Sequence, residues 1–162
     1  MTNKNPLLSN WNAPYKLAPF DKILDGHFSE AVEKAIEDEL QEIQEICENP
    51  DPPTFENTIL ALLNSGKLLE RVLSVFYTLV SADSNNQREK LMMEFSPKLA
   101  SHSSKITSNE KLFSRIREIF EQIDTLNLSP EEHRLLEKIY RDYVRAGAAL
   151  DDQSKERMKD IK

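Results

Sequence analysis

The sequence predicts an all-α protein: a multi-helix bundle of about six helices preceded by an extended amino-terminal arm. Three observations support this fold class. Only three glycines occur among 162 residues. Apolar residues recur at three- and four-residue spacing through most of the chain. No stretch shows the alternation that is typical of a half-buried strand. A chain of this length buries about 70% of its unfolded surface as one folded domain.

Residues 1–24 are predicted to form the arm and residues 25–162 the helical domain. Prolines between Asn5 and Leu24 disfavour a helix there. Large apolar side chains between these prolines favour packing of the arm on the bundle. The predicted anchors of the arm are Trp11, Tyr15, Phe20 and Ile23.

The first helix is predicted from about Asp25 to Glu48, because apolar residues form one stripe along it. The stripe consists of Phe28, Val32, Ile36, Leu40, Ile43 and Cys47. Its other faces are strongly acidic, with Lys34 as the one base: the acids are Glu30, Glu33, Glu37, Asp38, Glu39, Glu42, Glu45 and Glu48. Two interpretations stay open for this acidic run. It is a solvated outer face, or it repels acidic peptides and favours basic ones near a channel mouth.

A proline turn is predicted after this helix, since proline lacks an N–H and clashes with the preceding helical turn. The prolines are Pro50, Pro52 and Pro53. Thr54 is then predicted as the N-cap of a helix from Phe55 to about Ser81, with its hydroxyl accepting from Glu56 or Asn57. That helix is apolar around much of its surface, which favours the centre of the bundle. Gly66 is expected to kink or divide it, because glycine costs about 1 kcal/mol inside a helix.

The sequence pattern in the second half of the chain predicts further helices. One runs from about Gln87 to Thr107, with Ser84 or Asn85 as its cap and Pro97 expected to bend it without necessarily ending it. Another spans about Asn109 to Asp124. A third begins at the capping box in residues 129–132, Ser-Pro-Glu-Glu. Residues 151–162 are interpreted as the opening of one more charged helix, at which the domain is truncated.

The histidines are the first candidates for a metal or catalytic site. His27, His102 and His133 occur singly. His133 follows Glu131 and Glu132 and precedes Glu137 by one turn, so a weak histidine–carboxylate pair on one helix face is one interpretation. A solvated helix N-terminus explains the pattern better.

Two other residue types invite a functional interpretation. Cys47 lies on the apolar stripe of the first helix, which favours a buried core thiol over a nucleophile. Met92 and Met93 suggest a soft ligand or a partner groove, but core packing is the favoured prediction for both. No residue of the chain is therefore assigned a catalytic, cofactor-binding or metal-binding role.

Charge and composition exclude several classes of function. A net charge of −7 argues against a nucleic-acid partner. A single cysteine excludes an internal disulfide and fits a reducing compartment. The first residues lack the pattern of a signal peptide, and no apolar stretch approaches the roughly 20 residues that span a bilayer. We therefore expect a cytoplasmic protein with no membrane partner.

Several short blocks occur in an order and spacing that resemble a known family. They are Asn5-Pro6-Leu7-Leu8, Trp11, Tyr15, residues 19–23, His27-Phe28, residues 52–59, Ala82-Asp83, residues 96–102 and the Arg145-Ala146-Gly147-Ala148 segment within residues 141–150. Together they resemble the amino-terminal region of the thimet oligopeptidase class of zinc metallopeptidases, nearest to bacterial peptidyl-dipeptidases and oligopeptidase A. The resemblance covers almost the whole chain.

The resemblance implies that this chain is one part of a longer enzyme. Members of that class carry a zinc-binding His-Glu-x-x-His helix and a further glutamate ligand downstream, and this sequence contains no such motif. The implied function is a non-catalytic helical portion that helps to wall a channel for short peptides. Its implied partner is the remaining catalytic portion, and the zinc belongs to that portion. The isolated chain is expected to be inactive and to expose an apolar patch.

A second hypothesis from the residues is a stand-alone acidic helical interaction module, with the aromatic arm or an exposed stripe as its contact surface. The sequence does not distinguish a peptidyl-dipeptidase from an endo-acting oligopeptidase, because the deciding residues would lie outside the chain.

Overall fold

A computed structural model of the protein describes residues 4–12, 14–150 and 154, and every regular element in that part of the chain is helical. The all-α prediction, with a number of helices near six, is confirmed. The helices are α1 (His27–Glu48), α2 (Ala61–Asn64), α3 (Lys67–Ala82), α4 (Asn86–Thr107), α5 (Glu110–Glu121) and α6 (Pro130–Arg145). A π-helical turn, Phe55–Leu60, leads directly into α2. Single 3-10 turns lie at Pro6–Leu8, Pro14–Lys16, Phe20–Lys22 and Ile123–Thr125. The helix predicted in residues 151–162 lies outside the described residues except for Ser154.

The chain divides into two compact units. The first contains the described residues within 4–42 and 65–100, and the second contains those within 43–64 and 101–154. Helices α1 and α4 therefore contribute to both units.

The core of the first unit is built around aromatic rings. Phe76 of α3 is fully buried, and its ring meets the rings of Phe28 and Phe95 edge-on, each at a centroid distance of 5.1 Å. Such edge-to-face pairs add favourable electrostatics to the burial of apolar area. Leu7 of the arm is also completely buried in this core. The remaining members of the core are Ile23, Ala31, Val32, Ala35, Leu69, Val72, Val75 and Leu91.

Helix α4 faces this core with Leu91 and Phe95, which lie one turn apart. Met92 and Met93 directly follow Leu91, and each residue of a helix is rotated by about 100° from the one before it. Both side chains are therefore turned away from the core, and they are 36% and 66% exposed. The prediction that both methionines pack in the core was wrong, because the apolar stripe of α4 is one residue wide at this point. Pro97 lies inside α4, which continues past it as expected.

The long helix predicted from Phe55 to Ser81 is divided at Gly66. Gly66 has φ +68°, the left-handed conformation that ends one helix and starts the next. Its backbone N–H donates to the Glu42 carboxylate at 2.8 Å. A carboxylate at this position also compensates the positive end of the α3 dipole. The two parts of the predicted helix therefore belong to different units.

Gly66→Ala should destabilise the protein by about 1 to 2 kcal/mol, because a left-handed backbone is strained for a residue with a Cβ. An added Cβ would also lie 2.5 Å from the Glu39 carboxyl, whose flexible side chain can move aside. Urea unfolding measures the effect. Gly26→Ala is the matched control, since nothing lies within 4 Å of its added Cβ. An equal loss of stability in both variants would contradict this explanation.

The core of the second unit joins the end of α1 to α5 and α6. Its buried members are Ile43, Ile46, Phe55, Ile59, Leu112, Phe113, Ile116, Ile119, Leu136 and Tyr143. Local caps fix the helix starts. Thr54 Oγ1 accepts from the Asn57 N–H at 3.1 Å, and Ser129 forms a reciprocal capping box with Glu132. These caps and that of Asn85 on α4 were predicted correctly.

Candidate functional site

Asn5 ties the start of the arm to α1. It is buried although polar. Its side-chain oxygen accepts from the Leu7 N–H at 3.1 Å, which caps the turn Pro6–Leu8. Its amide nitrogen donates to the His27 backbone oxygen and to the Glu30 carboxylate, both at 2.9 Å. Sequence reasoning missed this role, although an asparagine directly before a proline is an N-cap signal.

Trp11 anchors the middle of the arm to α3. The Trp11 indole N–H donates to the Pro6 backbone oxygen at 2.9 Å. The Arg71 guanidinium lies over the indole, 4.8 Å from the ring centroid, and donates to the Leu7 backbone oxygen at 2.9 Å. This combination of a cation–π contact and a hydrogen bond confirms Trp11 as an anchor.

The end of the arm is fixed by Ile23, which is buried as predicted, and by Asp25. The Asp25 carboxylate accepts from Arg88 Nε at 2.7 Å and from Asn85 Nδ2 at 2.9 Å. Burial of this carboxyl opposes its ionisation, but the hydrogen bonds from Asn85 and Arg88 outweigh burial and lower the pKa of Asp25 below its usual value. The ionised carboxylate of Asp25, directly after the arm, therefore joins this part of the chain to the start of α4.

Between these attachments the arm is mostly exposed. Tyr15 is 95% exposed and Phe20 is also exposed, so the prediction that they anchor the arm was wrong. The anchoring is concentrated at the two ends, where Leu7 and Ile23 enter the core. Tyr15 and Lys16 both have positive φ, 59° and 54°. Consecutive left-handed residues other than glycine are strained by about 1 to 2 kcal/mol each.

The arm encloses a half-open cavity of about 800 Å³. The described residues that line it lie between Lys4 and His27 and belong to the first unit. Among the described residues that line it, Lys4 and Lys22 carry positive charge and Asp21 carries negative charge. The apolar part of the lining consists of Pro6, Trp11, Leu17, Pro19 and Leu24. A concave surface with a few convergent polar groups has the character of a small-ligand site.

His27 is the histidine that lines this cavity. Its Nδ1 accepts from the Leu24 N–H at 3.0 Å, so in the neutral ring the proton lies on Nε2. His102 is buried in α4.

His133 lies near two carboxylates but forms no hydrogen bond with either of them. Its Nδ1 lies 4.0 Å from Glu137 Oε1, and its Nε2 lies 3.9 Å from Asp124 Oδ1. Both distances exceed that of a hydrogen bond. A hydrogen bond from Arg134 lowers the pKa of Glu137, and Glu132 is engaged in the capping box. The arrangement agrees with a solvated helix N-terminus.

Cys47 is half-buried, with its thiol 3.7 Å from the Asn109 side-chain oxygen. Burial raises the pKa of the thiol, which lowers the population of the nucleophilic thiolate. Cys47 packs against the core of the second unit, in agreement with its predicted place on the apolar stripe.

The acidic run on α1 is largely exposed, but several of its members have structural partners. Glu30 accepts from Asn5, Glu42 accepts from Gly66, and Glu33 pairs with Lys98 at 2.8 Å. A surface pair of this kind contributes about 1 kcal/mol or less. The run is therefore partly a set of helix contacts within the first unit.

Arg115 of α5 holds the proline turn in the second unit. It is 9% exposed. Its guanidinium donates to the backbone oxygens of Asn49 at 3.0 Å and Asp51 at 3.3 Å. It also donates to Asn57 Oδ1 at 3.1 Å and Thr58 Oγ1 at 3.2 Å. Sequence reasoning missed this residue, because its partners lie at least 57 positions away.

No group of three or more histidine, cysteine, aspartate or glutamate side chains in the described part of the chain could hold a metal ion. Within the same part, no helix is long and apolar enough to cross a membrane.

The chain is similar to bacterial peptidases over nearly its whole length. It is 39% identical over 155 residues to dipeptidyl carboxypeptidase of Salmonella typhimurium, which is 96% of this chain and 23% of that protein. It is 38% identical over 159 residues to dipeptidyl carboxypeptidase of Escherichia coli, which is 98% of this chain and 23% of that protein. Oligopeptidase A of Escherichia coli is 26% identical over 157 residues, 97% of this chain and 22% of that protein. No protein-family model matches the chain.

Proposed function

We propose that this chain is the amino-terminal, non-catalytic helical portion of a zinc-dependent oligopeptidase of the thimet oligopeptidase family. Its similarity to dipeptidyl carboxypeptidase and oligopeptidase A over nearly the whole chain supports this proposal. The observation that carries the proposal is the share of each protein that the alignment covers. The alignment takes in 96% of this chain but only 23% of the Salmonella typhimurium relative. The activity of the whole enzyme would then require the remaining, catalytic portion of the polypeptide.

The zinc of this proposal does not fit the residues of this chain. Zinc is held by three or four nitrogen, sulfur or oxygen ligands that converge within about 2.3 Å, and the described residues offer no group of three candidate ligands. The sequence also contains no His-Glu-x-x-His motif. We therefore assign zinc and the catalytic base to the remaining portion, and no catalytic step to this chain.

In the proposed enzyme this chain contributes shape. Helical units with buried apolar cores are suited to forming the wall of a channel that admits short peptides and excludes folded proteins. Short peptides are the proposed substrates, and the cytoplasm is the proposed location.

The nucleotide sequence beyond the codon for Lys162 distinguishes this proposal from a stand-alone module. We expect an open reading frame that continues past the codon for Lys162 and encodes His-Glu-x-x-His with a downstream glutamate. A stop codon at that point in the native transcript would overturn the proposal and favour an acidic helical interaction module.

The purified 162-residue chain is expected to hydrolyse no peptide when supplied with Zn²⁺, since it lacks a motif for the metal. Chromatography of a digest of short peptides measures this. Escherichia coli dipeptidyl carboxypeptidase, purified in the same way, is the positive control. Metal-dependent cleavage by the chain above a mock purification would contradict the proposed division of roles.

A further inference from the structure

The cavity of the arm has no part in the proposed function, although it has the dimensions of a ligand site. Its volume of about 800 Å³ lies in the range of pockets for small ligands, roughly 300 to 1,000 Å³. The arm around the cavity is attached near both ends. Asn5 donates to the backbone oxygen of His27 on α1, and Asp25, just after the arm, pairs with Arg88. The cavity is thus a built feature of the first unit.

The charge of the cavity differs from that of the chain. The whole sequence has 28 acidic and 21 basic residues, whereas the described lining contains two lysines, Lys4 and Lys22, and one acid, Asp21. His27 adds an Nε2–H donor, because its Nδ1 is occupied by the Leu24 N–H. A local excess of cationic donors in an acidic protein favours an anionic ligand.

The rest of the lining favours an apolar group beside that anion. Trp11 offers an aromatic surface, and Leu17 and Leu24 line the cavity while most of their surface is exposed. Tyr15 and Phe20 belong to the same segment of the arm and are exposed as well, although they are not among the lining residues. Four large hydrophobic side chains are therefore exposed within ten residues, and exposed apolar surface is a feature of many binding sites. The strained backbone at Tyr15 and Lys16 points to the same segment.

We propose that this cavity binds the carboxyl end of a short peptide, with the terminal carboxylate at Lys4 and Lys22 and an apolar C-terminal side chain against Trp11 and Leu17. The choice of a peptide as ligand rests on the proposed function, because an oligopeptidase meets short peptides. The cavity would hold a peptide end without cleaving it.

Trp11 provides the measurement, because it is the single tryptophan of the sequence and lies in the cavity wall. The intact chain is titrated with the tripeptide Ala-Ala-Phe as the free acid and as the C-terminal amide, with fluorescence and calorimetry as parallel readouts. We expect saturable binding of the free acid and at least about tenfold weaker binding of the amide, since the amide lacks the charge-assisted hydrogen bonds. Acetate, titrated alone, should bind more weakly than the peptide, because it has no side chain for Trp11.

Variants test the assigned residues. The double variant Lys4→Gln, Lys22→Gln should bind the free acid about tenfold more weakly, whereas Lys90→Gln, on the exposed surface of α4, should bind it as the unaltered chain does. Equal affinity for acid and amide, unchanged affinity of the double variant, or no binding by either readout would overturn the proposal. None of these results depends on hydrolysis, so they leave the proposed function to be judged by the gene sequence.

Discussion

Phe76→Ala should destabilise the first unit by about 3 to 5 kcal/mol, the largest effect expected of a single substitution in this chain. The side chain is fully buried and contacts Phe28, Phe95 and Tyr77 through its ring. Alanine would remove these contacts and leave a cavity that rigid neighbours fill only in part. Urea unfolding followed by Trp11 fluorescence measures the loss, because Trp11 packs against the same core.

Tyr77→Ala is the matched control, since it removes a neighbouring ring that is 42% exposed. We expect a loss of no more than about 1 kcal/mol. The loss of stability in Phe76→Leu should lie between those of the two alanine variants. Phe76→Leu also allows the comparison with Tyr77→Ala if Phe76→Ala does not fold. Similar losses for Phe76→Ala and Tyr77→Ala would show that the buried Phe76 ring contributes no more to the stability of this unit than the exposed ring beside it.

Helix starts could be predicted from the sequence because caps are local. Thr54 and Ser129 each accept from a backbone N–H three residues away, so the sequence of four residues is sufficient. The same holds for Gly66, whose separation of two helices follows from its own backbone freedom. Helix α1 was predicted within two residues at its start, because its apolar periodicity extends over six turns.

The arm and its cavity could not be predicted in this way, since residues 4–27 have no periodicity to reveal a buried face. Leu7 and Tyr15 are both large and lie between prolines, yet one is completely buried and the other almost completely exposed. What separates them is the attachment of the arm at Asn5 and Trp11, whose partners lie on α1 and α3. Contacts between distant segments decide burial wherever local pattern is absent.

Arg115→Met should destabilise the second unit by about 2 kcal/mol, because it removes the donors of the proline turn while keeping the apolar stem. Asn57 Oδ1 would retain the Thr54 N–H at 2.8 Å. The backbone oxygens of Asn49 and Asp51 would lose their bonds to the guanidinium, and the prolines of this turn have no N–H to replace them. Arg115 also places a cation beyond the carboxyl end of α1, where the helix dipole favours it.

The opposing term is the cost of burying a guanidinium, which methionine would relieve. We expect the lost hydrogen bonds to exceed it, since Arg115 binds two side chains and two backbone oxygens at once. Arg117→Met is the matched control on the same helix. Its side chain is exposed and pairs with Glu121 at 3.9 Å, so a change within about 0.5 kcal/mol is expected.

Denaturant unfolding, monitored by circular dichroism, compares the stabilities of the two variants, provided that the slope of unfolding free energy against denaturant concentration is the same for both. Arg115→Lys should recover only part of the loss, because a single ammonium cannot reproduce the planar fork that reaches both sides of the turn. Stability of Arg115→Met equal to that of Arg117→Met would mean that the turn is held by its prolines alone. Full recovery by lysine would mean that the charge at the end of α1, and not the geometry of the fork, stabilises the joint between α1 and the Thr54 helix start.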